Sequence, residues 1–154
     1  MAKNKLSYFM HSKEPEIVKY PAPEGYVDEN GKRIELEFRV LSEEEMRDIR
    51  EHWREKKLVK DHGKPMVVNG APVYETNYDS ESALREMLIE SLQYPNLKDE
   101  ELMDYYGVVD VMVMPFKVFP KSAELLEVYR AFNVIHGFTE EDGEEVSDLD
   151  AAKN

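Results

Sequence analysis

Residues 33–46 commit this chain to a mixed fold. From Arg33 to Val40, the apolar Ile34, Leu36, Phe38 and Val40 alternate with the charged Arg33, Glu35, Glu37 and Arg39. A period of two over eight residues marks a strand with one buried and one wet face. The period then changes at once. Leu41-Ser42-Glu43-Glu44-Glu45-Met46 sets a Ser cap three residues before a Glu, a capping box, with Leu41 and Met46 in the two staple positions. Glu43 and Glu44 occupy the first turn, where the helix dipole favours anions. Met46, Ile49 and Trp53 recur on one helical face. A strand that hands over directly to a helix must bury both apolar faces in one core. The predicted class is therefore α+β, with Phe38, Ile49 and Trp53 sharing that core. The helix is expected over about Glu43 to Lys57, with the basic run Arg54, Lys56, Lys57 and Lys60 at its C-terminal end, where the dipole favours cations.

The rest of the chain builds around this junction. Asp28-Glu29-Asn30-Gly31 is a turn signal, since Asn and Gly tolerate the positive φ of tight turns, and it would pair Tyr26 and Val27 with the strand. Ile17, Val18 and Tyr20 read as a strand that Pro21 and Pro23 confine to an edge. Between Leu58 and Asn77 the pattern is ambiguous; Asn69-Gly70 can join Met66–Val68 to Val73–Tyr74 as a small hairpin, weakened by Pro72. A second helix follows a cap at Asp79 or Ser80, carries Leu84, Met87, Leu88 and Leu92, and stops at Pro95. Asn96 to Tyr106 reads as a short helix carrying Leu97, Leu102 and Tyr105, closed by Gly107. Val108 to Phe119 reads either as a strand or as a buried helix broken at Pro115. A last helix opens at Ser122 with Leu125, Leu126, Tyr129, Phe132 and Ile135 on one side, His136 in its last turn and Gly137 as C′ residue. The predicted architecture is an N-terminal β-hairpin packed on a mainly α-helical domain with an acidic flexible C-terminal tail. Its parts are a flexible arm over residues 1–14, a single domain over 15–138 and an acidic disordered tail over 139–154.

Charge excludes several functions. The 154 residues carry 20 Lys and Arg against 33 Asp and Glu, a formal charge of −13. Phosphate neutralisation needs clustered cations, so a nucleic-acid binder is disfavoured, and an anionic membrane surface repels such a chain. The absence of cysteine removes disulfides, thiolate metal sites and Cys nucleophiles. No apolar run reaches the ~20 residues of a membrane helix. Leu6 to Met10 is too short for a signal-peptide core, which suggests a cytoplasmic location.

Catalytic chemistry finds little footing. His11, His52, His62 and His136 form no metal-ligand spacing, and there is no glycine-rich phosphate loop and no nucleophile elbow. Each histidine reads as a surface or capping residue. No catalytic residue, cofactor or metal site is predicted. A metal-free hydrolase built on paired carboxylates stands only as a remote reading, because pairs carry no information in so acidic a chain. Binding has three candidate features. The run His52 to Lys64 is basic in an acidic protein, although a helix end plus a solvated loop would explain it. Val108 to Phe119 holds Met112 and Met114, and methionines adapt to varied partners, although ordinary core would also use them. From that segment Val111, Met112, Met114, Phe116 and Phe119, with the nearby Tyr105 and Tyr106, form the candidate partner-binding set. The third feature is the acidic tail, as an arm for a basic partner.

The order of features resembles a known family. A hairpin with an Asp-Glu-Asn-Gly turn leads to Leu41-Ser42-Glu43-Glu44-Glu45. Then come Tyr94-Pro95-Asn96-Leu97-Lys98-Asp99-Glu100-Glu101-Leu102, Tyr105-Tyr106-Gly107-Val108, His136-Gly137-Phe138 and the terminal Ala151-Ala152-Lys153-Asn154. This is similar to the XkdN-like tail assembly chaperones of phages and prophages of Gram-positive bacteria, over about Tyr26 to Asn154. It departs from them in a less regular Val111 to Phe119 and an extra Val67 to Val73. The resemblance implies a non-enzymatic protein of the host cytoplasm, absent from the mature virion. It would hold the tape measure protein in solution as a homo-oligomer or multi-copy coat, with no nucleic acid or membrane partner. It also implies a programmed frameshift at Lys153-Asn154, giving a longer form that engages tail tube protein. An acidic interaction protein or nucleic-acid mimic acting on a host partner is the alternative.

Overall fold

The computed structural model describes residues 5–139. Its strands are β1 (Ile17–Pro21), β2 (Glu35–Arg39), β3 (Arg54–Leu58), β4 (Lys60–Asp61), β5 (Lys64–Pro65), β6 (Val67–Val68), β7 (Ala71–Pro72), β8 (Tyr74–Tyr78) and β9 (Leu92–Tyr94). Its α-helices are α1 (Glu43–His52), α2 (Ser80–Ser91), α3 (Glu100–Tyr106), α4 (Met114–Val118) and α5 (Ser122–Ile135). The α+β class is the one the strand–helix junction dictates.

The alternation in β2 does what its period requires. Leu36 and Phe38 are buried, while Glu35 is exposed and Glu37 and Arg39 are only partly covered. β2 is the middle strand of an antiparallel sheet ordered β1–β2–β9. β1 lies at an edge, as Pro21 and Pro23 demand, with Val18 opposite Phe38 and Tyr20 opposite Leu36. The third strand was not foreseen: β9 pairs Leu92 with Phe38, so the helix predicted to run to Pro95 ends at Ser91 instead. The Asp28 turn is held by its own side chain, whose Oδ1 accepts from the N–H groups of Asn30 and Lys32, both at 2.9 Å. Within it only Gly31 takes a positive φ, 81°, the form of a turn closed by a glycine bulge. Val27 bridges Arg33 across it.

The junction after β2 is tied on three sides. Ser42 Oγ accepts from the Glu45 N–H at 3.1 Å, so the cap forms, and Leu41 and Met46 are both buried. The Glu45 carboxylate takes Arg39 Nη1 at 2.8 Å. Ser91 Oγ, on fully buried Ser91, donates to the Arg39 carbonyl at 2.7 Å. α1 stops at His52, short of the predicted Lys57, because Trp53 caps it and the residues from Arg54 on pair with β8. Trp53 is half-buried at the rim, its Nε1 3.4 Å from Glu86 Oε2, and does not join the buried cluster around Phe38.

That cluster gathers Leu36 and Phe38 with Met87, Leu88 and Ile89 of α2, Leu97, Met114, Phe119, and Val128, Ala131 and Phe132 of α5. Val108 to Phe119 is neither a strand nor a broken helix: a 3₁₀ turn over Val111–Val113 leads into α4, and Pro115 sits in the first turn of α4 rather than interrupting it. α5 faces the core with Val128, Ala131 and Phe132, and Leu126, expected on that face, is exposed. At its end His136 works as an uncharged clamp. Leu41 N–H donates to Nε2 at 2.9 Å and Nδ1 lies 2.8 Å from the Phe132 carbonyl, which fixes the tautomer with the proton on Nδ1. Burial moves this histidine down from its ordinary pKa, outweighing the bond to Phe132. It is therefore not the dipole-matched cation that its place in the last turn suggested. The acidic residues Glu140 to Asp150 and the terminal Ala151–Asn154 lie outside the described residues.

Candidate functional site

One open cleft forms at the corner where β9 passes into α3. Buried Leu97 anchors the corner. Asn96 Oδ1 accepts from the Lys98 N–H at 3.1 Å, and the Asp99 carboxylate caps α3 by accepting from the Leu102 N–H at 3.1 Å. α3 ends at Gly107, whose φ of 64° is the left-handed form a helix C-cap needs. With both ends fixed, the short helix projects Tyr105, which is 80% exposed, beside half-buried Tyr106, their rings edge to face at 4.9 Å. Together with Tyr94, Pro95 and Leu102 they line a space of about 560 Å³, whose charged groups are Asp99 and Glu101. No Lys or Arg lines it. The acidic lining disfavours an anionic metabolite, and an exposed tyrosine beside a second aromatic ring is the kind of anchor that protein interfaces use.

The structure divides the predicted partner-binding set. Tyr105 and Tyr106 line the cleft. Val111 and Met112 are half-buried against the core. Phe116 presents its ring at the surface, capped by the Arg85 guanidinium 4.5 Å from its centroid. Met114 and Phe119 are enclosed, and Phe119 packs on Tyr26 at 5.5 Å. Neither can touch a partner in this conformation, because Met114 at the start of α4 and Phe119 just past its end are both enclosed by the core. The apolar richness of the segment served burial more than recognition.

Two further surfaces stand outside the predicted partner-binding set. The ambiguous stretch after α1 is a branched β arm. β3 and β8 form a two-stranded stem, from Arg54 opposite Tyr78 to Leu58 opposite Tyr74. At its tip Val59, Met66 and Val73 are joined by backbone bonds of 2.8–2.9 Å, and two small hairpins diverge, β4/β5 and β6/β7. Their turns are His62-Gly63 (φ 52° and 81°) and Asn69-Gly70 (φ 52° and 79°), paired positive φ values that match the twist of tight hairpins. The basic run lies along this arm, with Arg54 set over the Tyr78 ring at 5.4 Å, and Met66, Val67, Val68, Tyr74 and Tyr78 stand exposed on it. The hairpin expected at Asn69-Gly70 forms with its second strand at Ala71–Pro72 rather than at Val73–Tyr74, and a second one turns at His62-Gly63, a pair that carries no Asn-Gly signal. The second surface is the N-terminal segment, a 3₁₀ turn over Leu6–Phe9 with its large apolar side chains uncovered.

The perturbed ionisable groups serve the fold. Burial and then Glu124, 2.8 Å from its hydroxyl, hold Tyr26 in the protonated form. Burial likewise raises Tyr129, against the opposing effect of Arg85. A side-chain bond from Ser82 lowers Asp79, the cap of α2. Among the described residues no group of three or more His, Asp or Glu side chains could hold a metal ion, and no helix is long and apolar enough to cross a membrane.

Comparison with known proteins places this geometry. The profile of the family described as phage XkdN-like tail assembly chaperone protein matches residues 6–150. The chain is 26% identical over 152 residues to the uncharacterized protein YqbN of Bacillus subtilis (strain 168), covering 97% of this chain and 93% of that protein. A crystal structure of the protein YqbN shares the fold with a TM-score of 0.67 at 19% identity, over 89% of this chain and 99% of that one.

Proposed function

The chain belongs to the XkdN-like family of phage tail assembly chaperones, and on that premise we propose that it binds the tape measure protein of its phage and keeps it soluble until the tail is built. The observation that carries the reading is the family match across residues 6–150, in a family of assembly factors rather than of known enzymes. Tape measure proteins are long and helical with exposed apolar stripes, so holding one in solution calls for many copies of a small apolar-grasping, acidic binder. The exposed aromatic cleft and the branched arm give this chain two surfaces of that kind on an acidic body. The work would take place in the host cytoplasm, with the protein absent from the finished virion. Tail tube protein would be engaged by a longer form made by a frameshift at Lys153-Asn154.

As a nucleic-acid mimic the chain is less apt. A mimic needs its carboxylates in a duplex-like array, whereas Glu45 and Glu43 are committed to Arg39 and Arg50, and Asp79, Asp99 and Asp110 to helix or turn caps. Co-expression with the tape measure protein of the same phage tests the proposal. The expected result is a rise in soluble tape measure protein and a complex that co-purifies. Unchanged solubility with no complex refutes it. For the longer form, the codons for Ala152 to Asn154 should read A-AAA-AAC or A-AAA-AAT ahead of an overlapping frame; any other codons remove it.

A further inference from the structure

We propose that the N-terminal segment of one copy docks in the Tyr94–Tyr106 cleft of the next, linking copies head to tail. Four of the five residues from Leu6 to Met10 are large and apolar, and they are 75% (Leu6), 71% (Tyr8), 77% (Phe9) and 71% (Met10) exposed. Single exposed apolar residues are ordinary, but a run of four marks a surface that another covers. The cleft offers matching aromatic walls, with Tyr105 the most exposed of them.

Charge selects the pairing. Residues 1–13 contain Lys3, Lys5, Lys13 and His11 and no Asp or Glu, in a chain of net charge −13. The cleft carries Asp99 and Glu101 and no basic lining residue. A basic, apolar segment and an acidic, aromatic cleft are complementary in both respects. Topology directs the segment to another copy. β1 begins at Ile17 opposite Arg39, the Glu16 carbonyl accepts the Val40 N–H at 2.9 Å, and residues 11–16 share an open recess with Arg39, Leu41 and Glu45 at the end of β2. β9 runs antiparallel to β2, from Leu92 opposite Phe38 to Tyr94 opposite Glu37, and Tyr94 shares a recess with Glu35, so β9 leads into the cleft away from the Arg39 end of β2. The segment therefore leaves the sheet at the Arg39 end of β2, while the chain enters the cleft from the opposite side.

Such a contact uses two different patches, so it need not close on itself and can repeat as an open chain. This adds a geometry to the multi-copy coat proposed above, but its test needs no tail protein and succeeds or fails separately from the tape measure assignment. Sedimentation velocity on the full chain reads it. Wild-type mass is expected to rise with concentration beyond twice the monomer, and to fall back as salt screens the charged pairs. Leu6→Ser/Phe9→Ser removes the segment's apolar groups and Glu101→Lys/Tyr105→Ser spoils the cleft; all four positions are exposed, so both variants keep wild-type circular dichroism. Each alone is expected to stay monomeric, while their equimolar mixture, which retains one intact segment and one intact cleft, reaches twice the monomer mass and stops. A wild type that stays monomeric at about 100 μM, one that stops at a closed dimer, a variant that associates like wild type, or a mixture that stays monomeric would each overturn the proposal.

Discussion

Acidification should loosen this fold at one identifiable residue. His136 joins the end of α5 to the β2–α1 junction: its Nε2 accepts the Leu41 N–H at 2.9 Å, and its ring lies 4.2 Å from that of Phe132. Leu41 is 5% exposed, so its N–H has little access to water if the acceptor is lost. Replacing His136 by Phe keeps the ring and deletes the acceptor. Leaving a buried donor unsatisfied costs about 1–3 kcal/mol, which in a domain of this size lowers Tm by about 2–4 °C per kcal/mol. His136→Gln can offer an oxygen to the same N–H and cannot titrate, so it should lose less. The sign of the pH effect follows from the lowered pKa. Above about 6.5, the ordinary histidine value, both folded and unfolded states are neutral and the clamp is intact. As pH falls below that value the unfolded chain takes up a proton first, and folding stability declines until the folded-state value is passed. Urea unfolding at pH 7.5 and 5.5 on wild type and both variants separates this residue from the many carboxylates. The wild type should lose more stability between the two pH values than either variant does. If His136→Phe lies within about 0.5 kcal/mol of wild type at pH 7.5, or if all three proteins show the same pH dependence, the clamp is not a stabilising element.

Three further outcomes follow from the same geometry. Phe38→Ala empties the centre of the sheet–helix core and should cost about 3–5 kcal/mol, enough to leave a large unfolded fraction by urea titration. Ser42→Ala removes the cap of α1, with an expected loss of about 1 kcal/mol and no change in the cooperativity of thermal unfolding. Replacing residues 54–78 by a two-glycine link should leave stability within about 1 kcal/mol of wild type, because the Asp79 N–H already reaches the Trp53 carbonyl at 3.1 Å and the arm is almost wholly exposed; a collapse in Tm would show that the arm supports the core.

What the sequence disclosed was wherever burial imposes a period. The alternation from Ile34 to Val40 and the Ser42 cap gave the central strand and the start of α1, and Gly107 and the Asp79-Ser80 pair marked helix ends, whereas the helix expected from Asn96 begins only at Glu100, behind the Asp99 cap. The misses have a common cause. Leu92 fits the helical stripe of Leu84, Met87 and Leu88 as well as it fits β9, and only Phe38, 54 positions earlier, supplies the partner that makes it a strand residue. A three-residue strand has no period of its own. In the same way α1 was extended to Lys57 because Lys and Glu satisfy a helix as readily as a strand, and only the pairing of Arg54–Leu58 with Tyr74–Tyr78 decides between them. Long-range pairing overrode local propensity in both cases.

The partner-binding residues were harder for a different reason. Composition ranks Met112, Met114, Phe116 and Phe119 alike, yet the short α4 and the residue that ends it bury Met114 and Phe119 and leave Phe116 at the surface. An apolar residue awaiting a partner and one already in the core satisfy the same hydrophobic preference, so a sequence cannot say which surface supplies the cover. The contrast is sharpest at the N-terminus. Leu6, Tyr8, Phe9 and Met10 are as apolar as the strand at Ile34–Val40, but they lack the alternation and the flanking pairing partner that would fold them inward. A run that is apolar, aperiodic and basic, in a chain otherwise acidic, has no place in its own core. It is suited to a complementary surface elsewhere, and the acidic aromatic cleft of a second copy is the one the described residues provide.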